Sequence, residues 1–427
     1  MFTDWIHWCS SIRSDELLWA LTPLLLLDAP RYVLGSLVMW ACDFVSDIWR
    51  LLTGATDARP HEYCPSVCVV LAGLNEADTI ASTLGSVWGS YPRMEIVVVD
   101  DGSTDGMADV ATEFALTHAN VLVIRKPRRG GKSSALNAAL PFTQAEVIVC
   151  VDTDSHLGPG AIWEIVQPMA DPAVGAVSGT VIARNPFLKL ITWLQAFEYL
   201  RSIFVGRMFA HRLDILAIVS GAFGAFRRDA LQRVQGWDVG PGEDGDLVLR
   251  LRKAGYTIAL APYAQCLTNL PVSWKRLFFQ RRRWEWATIT FNCRKHVDLA
   301  NPFAPHFRWS NLAMLVDSWL FSVVLLYAFW GYLGYLIWHS HEDLGKLLFL
   351  NYLAYAGIEI VNLLVVLYYS LDRRRDLCIG LVAPLMPFYY LFLKAAQVWA
   401  ITEEILTRRS FRDNFVPEHV RAVTWHW

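Results

Sequence analysis

Two textures alternate along the chain. From Pro65 to Val151, short β-branched runs (Val67–Ala72, Glu95–Asp100, Val121–Arg125 and Glu146–Val151) are separated by helix-period stretches at 76–89, 105–117 and 132–140. The runs are apolar on successive residues instead of alternating with polar ones. That is the pattern of strands covered on both faces, and with intervening helices it predicts a mostly parallel α/β sheet. Ligands bind such sheets beyond the carboxyl ends of the strands. The polar residues just after each run are therefore the informative ones.

Further along, Leu247–Ala254 has helical spacing and Tyr256–Ala261 reads as a strand. The segment Phe187–Arg212 interleaves Trp193, Phe197, Leu200, Phe204 and Phe209 with Lys189, Glu198, Arg201, Arg207 and Arg212. It reads as an amphipathic helix at a membrane surface; a core-facing helix fits the same spacing. The aromatic and basic stretch Trp274–Lys295 has the same two readings.

Three long apolar runs near 311–338, 345–371 and 377–401 are long enough to span a bilayer. Arg373, Arg374 and Arg375 between the second and third mark that loop as cytoplasmic, whereas the His339–Asp343 loop lacks Lys and Arg. Pro384, Pro387 and Lys394 interrupt the third run, and Arg408, Arg409 and Arg412 follow it, so a re-entrant or interfacial end is expected. Near the start, runs 17–27 and 32–42 are split by Asp28, Pro30 and Arg31. Joined, they make one kinked span in which Asp28 pairs with Arg31, followed by an interfacial helix through Trp49. A cleaved signal peptide is the alternative, against which stand a weak basic start and excess length. Glu359 and Asn362, polar residues inside the second long run, are candidates for a polymer path.

Composition sharpens this picture. Of 427 residues, 54% are hydrophobic and 18% charged, below the roughly 25% charged of globular chains. A formal net charge of -2 gives no reason to expect nucleic acid as a partner. The eight cysteines form no Cys-x-x-Cys, and Cys64 and Cys68 are expected as buried free thiols.

The chemistry-bearing residues sit where the sheet predicts. Asn75-Glu76 follows the first run and Asp100-Asp101-Gly102-Ser103 the second, where the latter also suits a turn that caps the next helix. Gly130-Gly131-Lys132-Ser133 follows the third, but Lys126 stands where a phosphate-binding Walker loop needs glycine. Its helix-start amides with Lys132 suit a diphosphate; a solvated basic turn is the alternative. Asp152-Thr153-Asp154 follows the fourth run. Two carboxylates two residues apart at a strand end suit Mg²⁺ or Mn²⁺, with a diphosphate completing the shell. Ser220-Gly221-Ala222-Phe223-Gly224 allows close backbone approach to a ligand, or forms a strand-edge bend. Asp244, in Gly242-Glu243-Asp244-Gly245-Asp246, is a candidate general base, while Asp246 suits the helix N-terminus. Arg281 and Arg282, inside Gln280-Arg281-Arg282-Arg283-Trp284, suit a basic helix against anionic lipid.

An acidic pair followed by Gln-x-x-Arg-Trp, with the earlier motifs in order, resembles the signature of processive, membrane-embedded family 2 glycosyltransferases. That family includes cellulose, chitin, hyaluronan and poly-N-acetylglucosamine synthases and the nodulation chitooligosaccharide synthases. The resemblance implies a GT-A-like, Rossmann-like cytoplasmic domain with transmembrane and interfacial helices, in a multi-pass protein of the inner or plasma membrane. It divides the chain into a membrane segment at 1–60, a transferase domain at 61–300 with interfacial helices near 187–212 and 273–296, and a region of about three spans at 301–427.

By that resemblance Glu76 and Asp101, with Asp100 beside them, hold the uridine of a UDP-sugar. Asp152 and Asp154 form the metal motif, and Lys132 meets the diphosphate. Ser220 and Gly221 lie beside the acceptor sugar. Asp244, paired with Glu243, is the base, although Gly242 replaces the usual Thr. Gln280 closes the donor pocket, Arg283 contacts the diphosphate and Trp284 stacks the acceptor. The implied activity is inverting, processive β-glycosyl transfer from UDP-glucose or UDP-N-acetylglucosamine to a growing polysaccharide that crosses the bilayer. A non-processive enzyme acting on a lipid carrier and a catalytically idle membrane assembly subunit are the rival readings. The sequence names neither the donor sugar nor an oligomeric or export partner.

Overall fold

A computed structural model describes residues 33–54, 63–240, 242–339 and 344–424. The expected pairing of Asp28 with Arg31 lies outside the described residues, as does the 17–27 run. The chain forms two compact units. One comprises residues up to 55 with Leu320–Lys394; the other comprises Thr56–Trp319 with Ala395–Trp427.

The larger unit is built on one eight-stranded sheet: β1 Val67–Gly73, β2 Met94–Asp100, β3 Val121–Arg125, β4 Val147–Asp152, β5 His156–Leu157, β6 Val174–Ala183, β7 Phe223–Arg227 and β8 Thr257–Thr268. Their order is β3-β2-β1-β4-β7-β6-β8-β5. The first four strands pair in parallel. Helices Ala77–Val87, Met107–Leu116 and Lys132–Ala139 connect them near the expected positions. Val69, Leu71, Ile96, Val98, Val147 and Val149 are fully buried. Each such side chain contributes roughly 1.5–3 kcal/mol by leaving water, so polar residues are excluded from these strands and collect at their ends.

Beyond β4 the sheet becomes mixed. β7 inserts antiparallel between β4 and β6, and β8 runs parallel to β6. β8 extends well past the expected Ala261. The acidic segment opens the helix Glu243–Lys253, and Asp246 in its first turn is buried in a charge network. It accepts from Arg250 at 2.7 Å and His296 at 2.8 Å, with Lys295 also at 2.8 Å. Burial alone would raise the Asp246 carboxyl, but His296, Arg250 and Lys295 hold it well below the usual carboxylate range.

The 187–212 segment is helical from Leu190 to Arg212, with a wider-wound stretch at Tyr199–Val205. Helix Trp274–Thr290 starts at an N-cap where Ser273 Oγ accepts from Arg276 N. Among the described residues three helices are long and apolar enough to cross a membrane: Trp309–His339, Leu344–Tyr369 and Arg373–Thr407. In the smaller unit, helix Gly35–Thr53 meets Leu344–Tyr369 through the 2.6 Å bond from Tyr369 Oη to Asp43. Glu359 and Asn362 on that second helix are buried. The described cysteines carry free thiols, with Cys68 buried and Cys64 half-buried.

Asp246→Asn should cost about 3 kcal/mol at pH 7, as loss of one partner from a buried charge network does. Because the folded carboxyl lies below its unfolded value, this stability is present above roughly pH 4 and disappears as pH falls through the folded value. Thermal unfolding at pH 7 and pH 3 checks it: the mutant penalty should shrink in acid, and an equal penalty at both pH values would contradict the network account.

Candidate active site

The register of the sheet gathers the predicted residues. Ala72 of β1 lies opposite Asp152 of β4, and Gly73 lies opposite Asp100 of β2, so the two acidic strand ends flank the end of β1 on one edge. β7 runs the other way, so its beginning faces the end of β4. Asp152 N donates to Ala222 O at 3.2 Å, which sets the Ser220–Ala222 segment beside the metal motif.

Lys132 ties this edge together. Its Nζ lies 2.5 Å from Asp152 Oδ1, 3.0 Å from Gly221 O and 3.8 Å from Glu243 Oε1. Burial would lower the ammonium, but Asp152, Glu243 and Asp244 together drive it far above its ordinary value. Lys132 is thus not a free, solvated basic turn: it is the half-buried counter-ion of an acidic cluster.

Asp244 sits on the other side of Gly221. Its Oδ2 accepts from Gly221 N at 3.2 Å and its Oδ1 from Gly245 N at 2.8 Å. Gly221 is required by close approach, because a Cβ there would lie 3.1 Å from Lys132 Nζ and 3.3 Å from Asp244 Oδ2. Burial raises the Asp244 carboxyl, against which Lys132, the two amides and Arg207 pull it down. Glu243 is pushed up to about 7, chiefly by burial, with Lys132 opposing and Asp244 assisting. Gly242 stands at φ 74°, and a Cβ on it would meet Ala287 Cβ at 2.7 Å. No threonine fits there, which explains the departure from the usual motif.

Asp100 and Asp101 divide their duties. Asp100 Oδ1 accepts from Ser103 N at 2.9 Å and so closes the turn. Asp101 accepts from Gly130 N at 2.9 Å, Gly131 N at 2.7 Å and Lys126 Nζ. The two glycine amides expected to meet a diphosphate are therefore engaged by Asp101, a pairing of residues 29 and 30 positions apart that no local pattern reveals. Glu76 stands at the N-cap of its helix and accepts from Thr79 at 3.1 Å.

The Gln280–Trp284 segment presents three different environments. Gln280 Oε1 is buried and has no hydrogen-bond partner among the described residues. The Arg283 guanidinium lies 4.6 Å from the Phe415 ring, and Arg129 donates to Phe415 O at 2.8 Å. The C-terminal segment thus forms part of the wall here. It is anchored by Glu404, which accepts from Arg294 at 2.5 Å and from Ser410 N at 2.7 Å. Trp284 is 41% exposed. Arg281 does not face lipid as a basic helix surface would: it is buried and paired with Glu198 at 2.8 Å. Arg282 packs over the rings of Phe279 and Trp286. Lys126, Arg207 and Phe415 are members of this neighbourhood that the sequence reading passed over. All three arrive through contacts distant in sequence.

The carboxylates fit a divalent cation. Asp154 is raised by burial and then by Asp152, and Glu76 is raised by burial and by repulsion from Asp154, Asp105 and Asp152. A cation at this edge relieves all of these at once. Among the described residues no three His, Cys, Asp or Glu side chains already surround one point. Asp152 and Asp154 supply only part of a shell, which suits Mg²⁺ or Mn²⁺ completed by phosphate oxygens and water.

A family model described as glycosyltransferase like family 2 matches residues 65–287, more than half of the chain. A poly-β-1,6-N-acetyl-D-glucosamine synthase from Staphylococcus epidermidis is 26% identical over 362 residues, covering 82% of this chain and 86% of that protein. A protein of the same description from Staphylococcus aureus is 28% identical over 256 residues, covering 59% and 61%. Among solved structures, a mannosyltransferase from Pyrobaculum calidifontis, in complex with GDP-Man and Mn²⁺, matches with a TM-score of 0.56 and 22% identity. That match covers 91% of this chain and 98% of that one. At this identity the likeness concerns the fold, and it bears out the GT-A-like expectation.

Gly242→Thr should lower the thermal unfolding midpoint. Left-handed backbone at a β-branched residue costs ~1–3 kcal/mol, and the contact with Ala287 adds to it. Unchanged stability and activity in Gly242→Thr would show that the helix start tolerates a side chain after all.

Proposed function

Because this chain belongs to the glycosyltransferase like family 2, we propose that it extends a β-linked polysaccharide from a UDP-sugar, with inversion at the anomeric carbon. The observation that carries the reading is the convergence of Asp152, Lys132, Gly221 and Asp244 at one sheet edge. UDP-N-acetylglucosamine is the donor best supported, since similarity to a poly-β-1,6-N-acetyl-D-glucosamine synthase runs through 82% of the chain. UDP-glucose is the other member of the donor class.

In this mechanism the attacking hydroxyl of the acceptor gives its proton to Asp244 as its oxygen bonds to the anomeric carbon. The bond from that carbon to the phosphate oxygen breaks, and UDP leaves. Single displacement inverts the configuration. Gly221 N and Gly245 N hold the Asp244 oxygens in place, which preorganises the base. Lys132 presents a fixed positive charge between base and donor, and Arg283 offers a planar fork suited to the diphosphate. Gln280 Oε1 is available to a donor hydroxyl or amide. Glu76, Asp100 and Asp101 line the nucleotide side. Asp154 and Asp152 would hold a Mg²⁺ or Mn²⁺ ion, which would supply Lewis-acid stabilisation to the leaving diphosphate.

The three helices long and apolar enough to cross a membrane support the reading of a multi-pass membrane enzyme. In this reading the catalytic unit faces the cytoplasm, which the run Arg373, Arg374 and Arg375 between two of these helices supports. The exposed Trp284 face suits an acceptor sugar that returns after each addition, which favours a polymer over a single transfer to a lipid carrier.

UDP release and product size in lipid vesicles, across UDP-N-acetylglucosamine, UDP-glucose, UDP-glucuronate and UDP-galactose, test the proposal. Asp244→Asn should lower kcat at least ~100-fold while UDP binding persists. The base must be ionised, and the Glu243–Asp244 pair is raised toward neutrality. kcat/KM should therefore fall with decreasing pH at a point above the usual carboxylate range. Wild-type rates in Asp244→Asn, or a product carrying a single sugar on lipid, would overturn this reading.

A further inference from the structure

Outside the catalytic edge, one buried ion pair has no role in the mechanism above. Glu198 closes helix Leu190–Glu198, and Arg281 lies in helix Trp274–Thr290. The residues are 8% and 7% exposed, and Glu198 Oε2 lies 2.8 Å from Arg281 Nη2. The Arg281 guanidinium carbon stands 4.2 Å from the centre of the Trp284 ring and 6.0 Å from that of Tyr199. Tyr199 is buried, whereas Trp284 keeps 41% exposure.

Taking two charges out of water is expensive. A buried guanidinium pinned by a carboxylate and spread on an indole leaves that indole little rotational freedom. An exposed aromatic on a helix without such backing samples several rotamers, and a ligand stacking on it pays to select one. The carboxylate also neutralises the guanidinium. The free face of the ring is thereby spared a net cation that would repel the weakly positive C–H face of a pyranose.

We propose that Glu198 and Arg281 form an ionic brace beneath Trp284, holding its ring as the platform for the acceptor sugar. Both are positioning residues and act through Trp284. The inference rests on the transferase reading above and adds which residues set acceptor affinity.

The test uses the full chain in lipid vesicles, with UDP-N-acetylglucosamine as donor and a soluble β-linked N-acetylglucosamine tetramer as acceptor. Arg281→Met should raise the acceptor KM about tenfold, the scale of one well-oriented aromatic contact, and shorten the product. The donor KM should stay within about twofold. In a Trp284→Ala background the same substitution should add nothing, because the brace has no ring left to hold. Should Arg281→Met fold poorly, the neutral pair Glu198→Gln with Arg281→Gln carries the same cycle. Additive losses in an active enzyme, or a fall in kcat with acceptor KM unchanged, overturn the brace and leave the transferase reading standing. Absence of transfer by the wild type with every donor overturns the transferase reading itself.

Discussion

The half-buried ammonium of Lys132 is the interaction on which the site depends. Asp152, Glu243 and Asp244 are brought to one edge, where like charges repel and burial penalises Glu243 and Asp244. Only a cation in their midst makes the arrangement tolerable. Lys132 supplies it from the first residue of its helix, and bonds Gly221 O as well. Asp152, Gly221 and Glu243 are therefore linked through one nitrogen, and Asp244 joins them through Gly221 N. A change in charge at Asp152 is felt at Asp244 through this shared partner.

That linkage exists because of topology. Four parallel strands place Glu76, Asp100, Asp101, Asp152 and Asp154 at or just beyond one edge. It takes an antiparallel β7 beside β4 to return Gly221 to the same edge, and the helix at Glu243 then starts against it. Asp246, two residues after Asp244, is held by Arg250, Lys295 and the His296 ring and fixes that helix start from behind. The site is thus built on regular elements of the sheet and its helices, and the C-terminal segment adds Phe415 over Arg283.

The sequence discloses the parallel half well because its strands are buried on both faces and rich in Val and Ile, a signal that survives without tertiary context. β6 and β7 were not legible. Their Gly175, Gly179 and Gly224 dilute β propensity, and those glycines are explained only by close neighbours: a Cβ at Gly179 would overlap Phe223 and one at Gly175 would overlap Tyr256. The positions of Asp152, Asp154 and Asp244 follow strand ends and a helix start, so they could be read in advance. The engagement of Asp101 by Gly130 and Gly131, the inward turn of Arg281 and the approach of Phe415 could not. Each pairs residues far apart in the chain, and periodicity carries no information about such pairs.

The most direct measurement is the pH profile of kcat/KM for Lys132→Gln beside the wild type. Removing a positive charge next to a buried carboxylate makes ionisation harder, so the acid limb should move to higher pH, with residual activity recovered in base. A limb that stays in place, whatever the loss in rate, would contradict the claim that Lys132 couples the donor side to the base.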